Sequence, residues 1–269
     1  VASARWYLHL DLDQLKTTKV GRDLQGQLDE KAMAGIRVLE RLVGVNPLKD
    51  LDAITLSGTD VEPQRAVAAV RGVFDRAHLI DLTRLAKGSE SVEHEGHAVY
   101  SWLDPKTPGG RVYASFPEGD TIYLGPDREL MEAALERRAS GSTGGGIAAE
   151  ADRRAIVNVW ADLTLLEGIE IESAFIRRVR KVHLSAGERE GKLYGRIVVE
   201  TGDDKTSRLL GRMFSGAVAL AEAAEHIPDG TSDSVATEAS GRKLAIDVEI
   251  ALDSLDDLVK SVVELQRGL

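Results

Sequence analysis

The sequence predicts an α+β protein made of two tandem halves, each a mainly antiparallel sheet with helices packed on one side. Three observations carry this. Segments that alternate apolar and polar residues, the period of a half-buried strand, recur along the 269 residues. Several are joined by short stretches such as "DPKTPGG" and "PEGD", with proline and glycine where tight reversals need them. Finally, "ASGSTGGG", from Ala139 to Gly146, parts two regions that repeat much of one order of elements.

The first half opens with "WYLHLDLDQL", where Trp6, Leu8, Leu10 and Leu12 alternate with Tyr7, His9, Asp11 and Asp13. From Val20 to Val43 the period changes. Leu24, Leu28, Ala32, Ile36, Leu39 and Val43 recur at three to four residues and share one helical stripe, which Gly44 ends with a left-handed cap and Pro47 keeps from resuming. "LDAITLSG" and "AVAAVRGVF" read as two strands, and a helix follows from Arg76 to Ala86. "HAVYSWL", "GRVYASF" and "TIYLG" form a meander. The helix "DRELMEAALERRA" closes the half, with Asp127 as N-cap and Arg137 and Arg138 complementing the negative end of its dipole.

In the second half "IVNVWADLTLL" alternates like the opening strand, and setting one beneath the other aligns Asp162 with Asp11. "RKVHLSAGEREGKLYGRIVVE" is a hairpin with a polar tip. A long helix runs from Asp204 to Ala224 with Leu209, Leu210, Met213, Phe214, Ala217, Val218 and Ala221 on its apolar side. A second hairpin, "SVATEASGRKLAIDVEIAL", leads into a last helix, "DSLDDLVKSVVELQ". Each half thus reads strand, hairpin, helix, antiparallel strands, helix, an order that suggests internal duplication; the long helix of the first half shrinks in the second to "EGIEIESAF". The division is 1–138, a connector 139–150, and 151–269.

The glycine-rich stretch is a connector rather than a phosphate cradle. A P-loop runs from strand to helix and needs lysine and then a hydroxyl residue after its second glycine, but Ile147 and Ala148 follow Gly146, and a helix precedes. No nucleotide cofactor is implied. Absence of cysteine removes disulfides, thiolate metal sites and thiol nucleophiles. The net charge is -10, with 18 basic against 22 acidic residues up to Gly146 and 16 against 22 beyond it. With aromatics at 4%, the chain lacks the basic footprint and stacking platforms of a nucleic-acid binder. No window approaches the eighteen apolar residues of a membrane-spanning helix. The polar lead "VASAR" runs directly into a strand, as in a mature chain after loss of an export signal, although a trimmed chain reads the same way.

Three groups of side chains are candidates for chemistry. His94 and His97 in "VEHEGHAVY" are of metal-ligand type, but they lie three apart around a turn, without the helical spacing of a zinc protease, so a solvated turn is the expectation. Asp11 and Asp13 lie two apart on one strand face, as paired carboxylates for hydrolysis would. Aspartate where a strand gives way to a helix more often caps free amides, and Asp162 repeats the placement. "IRRVRKVH" gathers Arg177, Arg178, Arg180 and Lys181, a contact for an anionic group or acidic partner, or else a charged strand edge that blocks unwanted pairing.

The arrangement G-x-[ND]-P-x-x-D-[LI]-D, present as Gly44, Asn46, Pro47, Asp50, Leu51 and Asp52 after the opening strand and helix, resembles exported bacterial proteins of unknown function over about the first 90 residues. The resemblance implies export to the periplasm or cell envelope and no known activity. The residues themselves lead to a non-enzymatic exported binding or scaffold protein that presents sheet surface to a protein or envelope component, with no cofactor. The alternative is a carrier of an apolar ligand between sheet and helices, motivated by the small residues Gly211, Ser215, Gly216 and Ala219. A hydrolase using Asp11 and Asp13 ranks last.

Overall fold

The computed structural model describes residues 4–60, 65–107, 109–139, 154–166, 176–224 and 232–252. Most of the glycine-rich connector, "EGIEIESAF" and the expected last helix lie outside them. The chain divides into two compact units, Val1–Ala151 and Asp152–Leu269.

Unit 1 begins with β1 (Trp6–Asp11) and three helices, α1 (Leu12–Thr17), α2 (Lys19–Gly26) and α3 (Glu30–Val43). The sequence predicts one helix from Val20 to Val43; the structure breaks it before Glu30. The reason lies in the caps. Asp11, Thr18 and Asp29 each accept a hydrogen bond from the backbone amide three residues on, so each starts a new helix. The bend between α1 and α2 is tight: a Cβ on Gly21 would stand 1.9 Å from the Leu15 carbonyl oxygen. Gly44 ends α3 in the left-handed conformation at φ 74°, as its position predicts. The following turn is tied by Asn46, whose side-chain amide donates to Glu40 at 3.1 Å while its carbonyl oxygen accepts from the Leu48 amide at 3.1 Å.

Next come β2 (Leu51–Gly58), β3 (Ala66–Gly72), α4 (Arg76–Leu85), β4 (Glu90–His94), β5 (His97–Leu103), β6 (Arg111–Ser115), β7 (Thr121–Gly125) and α5 (Arg128–Ala139). All pairings are antiparallel, in the order β1-β2-β3-β7-β6-β5-β4. Val67 and Val99, with Tyr113 and Tyr123, pack on Leu130, Met131, Ala134 and Leu135 of α5. Their strand neighbours Tyr100, Ala114, Ile122 and Leu124 point the other way, onto Leu79 and Ile80 of α4. Unit 1 therefore carries helices on both faces of its sheet, one more layer than expected, because both faces of its central strands are apolar and need cover.

Unit 2 contains β8 (Val157–Asp162), a 3₁₀ turn at Leu163–Leu166, a second at Ile176–Arg178, then β9 (Val179–Arg189), β10 (Lys192–Thr201), α6 (Asp204–Ala223), β11 (Val235–Ser240) and β12 (Lys243–Ala251). The antiparallel order is β8-β9-β10-β12-β11. α6 covers Val199, Leu244 and Ile246, with Ile197 and Val248 beside them. The opposite face carries cross-strand ion pairs, Arg196 with Asp247 at 3.2 Å and Arg189 with Glu249 at 3.2 Å. Both units follow one scheme: a strand, a hairpin beside it, a helix, then strands of which the last returns to pair with the hairpin. The molecule is α+β with antiparallel sheet. Among the described residues no helix is long and apolar enough to cross a membrane.

Candidate functional site

The basic run lies where β9 begins. Arg177, Arg178, Arg180 and Lys181 are exposed, while Val179 between them is buried under α6 and holds the segment to the sheet. Cross-strand register then adds what sequence order hides. Lys181 stands opposite Glu200 of β10, which in turn stands opposite Lys243 of β12. The Glu200 carboxylate lies 3.9 Å from Lys181 Nζ and 3.8 Å from a guanidinium nitrogen of Arg242, in the β11–β12 turn. The acids at the start of α6 are committed elsewhere. Asp203 accepts from the amide and hydroxyl of Thr206, hydrogen bonds that hold its carboxyl below the usual range, and Asp204 pairs with Arg208 at 3.0 Å. Such an array attracts negative charge through its summed field.

His94 and His97 face each other across the two-residue turn Glu95–Gly96, both turn residues having positive φ. The expected solvated turn is therefore the tip of a hairpin, and "ESVEH" before it is a strand that apolar alternation does not reveal. His94 lies under α5, with Nε2 3.3 Å from Glu136 and Nδ1 3.9 Å from Glu132. Arg128 already engages Glu132 at 2.7 Å. Among the described residues no three histidine or carboxylate groups gather as a metal site would require. The two glutamates were missed because they lie far along the sequence, although their spacing of four on one helix flank was visible.

Asp11 ends β1 and accepts from the Gln14 amide at 2.8 Å, whereas Asp13 lies inside α1 and pairs with Lys16 at 3.3 Å. The helix starts at Leu12, before Asp13, so the two do not share a strand face and do not form a carboxylate pair. Asp162 likewise accepts from the amide and hydroxyl of Thr164. His9 on β1 hydrogen-bonds the Thr55 hydroxyl at 2.8 Å; burial pushes its pKa down, Arg71 adds to this, and Asp11 opposes it.

α6 packs on the sheet through part of the stripe its sequence predicts, Leu210 and Phe214, but is rotated so that Met213 and Ala217 leave it. Ser207, Leu210 and Gly211 are buried and Phe214 packs inward, while Met213 is 54% exposed and Ala217 is also exposed. At Gly211 the helix already lies close to the sheet, where a Cβ would meet Leu244 at 3.1 Å, and the Ser215 hydroxyl stands 3.1 Å from that of Thr237. Gly216 and Ala219 lie on the outer side. α3 is the other departure from an ordinary helix. None of its residues is buried, and Val38 and Leu42 are 56% and 61% exposed, with Leu39 beside them.

No protein-family model matches the chain, and no curated protein matches it. Among solved structures it is similar to TP0453 in crystal form IV, with a TM-score of 0.50 and 11% identity over 96% of this chain and 93% of that chain. Crystal form I of TP0453 gives 0.49 and 11% over 97% and 94%. At this identity the likeness is one of fold alone, and the conclusion it permits is that this α+β antiparallel architecture, over nearly its whole length, is one that TP0453 shares.

Proposed function

We propose that the chain is an exported, non-enzymatic binding or scaffold protein that engages a protein or envelope component. The observation that carries the reading is α3. Although Val43 at its end packs on the core, α3 keeps Val38, Leu39 and Leu42 in water, and exposed apolar surface of this kind marks interaction sites. The contact this supports is helical rather than the sheet surface expected from sequence. Export is supported by the resemblance around Gly44 to Asp52.

The test places a photo-crosslinking amino acid at Leu42 in cells that make the protein. Discrete adducts with an envelope component are expected, and Val38→Ser, Leu39→Ser and Leu42→Ser together should abolish them without lowering Tm, since these side chains support no core. Absence of adducts, or a catalytic turnover lost in Asp11→Asn, would overturn the proposal.

A further inference from the structure

We infer that the end of unit 2 at which β9 and β12 begin is a docking surface for an acidic polypeptide segment. It is separate from α3 and is tested independently of the reading above. Arg177, Arg178 and Arg180 project from this end without an ion pair among the described residues, in a protein whose net charge is -10. Lys181 and Arg242 extend the array across three strands and already receive a carboxylate, that of Glu200, between them. Arg177, Arg178 and Arg180 add guanidiniums without an ion pair among the described residues, and their planar forks suit the carboxylates of an acidic segment.

The surroundings favour a polypeptide over other polyanions. Among the described residues, none of the large exposed apolar side chains belongs to this array, which gives a lipid layer little to bury there. Among the described residues of the run, 176–182, none is aromatic for bases to stack on. A single small anion finds no cradle, because Asp203 already occupies the first amides of α6.

The experiment uses the full chain and a fluorescent peptide of alternating glutamate and serine, with binding read by anisotropy at low and physiological salt. Saturable binding that weakens with salt is expected, and Arg177→Glu, Arg178→Glu and Arg180→Glu together should reduce it roughly tenfold or more. Arg37→Glu with Arg41→Glu, which reverses exposed charge on α3, should leave it unchanged. Equal loss in both variants would reveal indifferent attraction and overturn the proposal. So would displacement of the peptide by millimolar inorganic phosphate, or preference of the arginine array for phosphatidylglycerol vesicles over the peptide. Failure here leaves the α3 crosslinking test intact.

Discussion

At single residues the chain is punctuated by carboxylates and hydroxyls that start helices. Asp11 is the case to test. Because its side chain caps α1, Asp11→Ala should cost about 1 kcal/mol in chemical denaturation, whereas Asp11→Asn keeps the acceptor and should cost only a few tenths. Asp13→Ala should stay within about 0.5 kcal/mol, since its exposed pair with Lys16 contributes little. A large loss in Asp11→Asn would mean that its charge matters beyond capping. His9 sets a pH dependence. Its pKa is depressed by burial, so as pH falls through the ordinary histidine range the unfolded chain takes up a proton before the folded one does, and stability drops on the acid side while remaining level above it. His9→Gln should flatten that acid slope, and an NMR titration should find His9 below ordinary histidine values; a normal or raised value would refute this.

Whole elements differ in how much their side chains support. α5 buries Met131 and Leu135 completely, whereas no residue of α3 is fully buried and Leu42 is 61% exposed. Leu135→Ala should therefore destabilise by about 2 to 5 kcal/mol, and Leu42→Ala by no more than about 0.5 kcal/mol, as read from denaturation midpoints. Equal costs would mean that α3 is packed after all. Elements also show why some of the fold was legible and some was not. β1, β2, β3 and α5 announce themselves because one period persists and a cap or turn residue closes each. The break before Glu30 was hidden because Leu24, Leu28 and Ala32 keep helical spacing across it, so only Asp29 marks it. β4 was hidden because "ESVEH" borders water and has little apolar side to bury. α6 misled because small and apolar residues cover more than half its circumference, and two stripes compete for the sheet. Leu244, against Gly211, decides between them, and sequence order does not reveal that contact.

On the scale of the molecule, the two-part organisation was readable from repeated order, and the structure gives both units one strand scheme. The histidines and the basic run were readable, but the partners that make clusters of them were not. Each needs partners from elements far apart in sequence, Glu132 and Glu136 in one, Glu200 and Arg242 in the other, and only register and helix placement bring them together. The sheet ends carry a further consequence. β4 ends the order in unit 1 with Glu90 and Glu93, a strand that repels its own kind, while β11 ends the order in unit 2 with "VATEAS", whose one charge is Glu238. A second copy meeting β11 through its own β11 would run antiparallel about a two-fold axis and use up that edge on both molecules. Growth by this route stops at two copies, so crowding that draws these edges together yields a closed pair instead of a fibre.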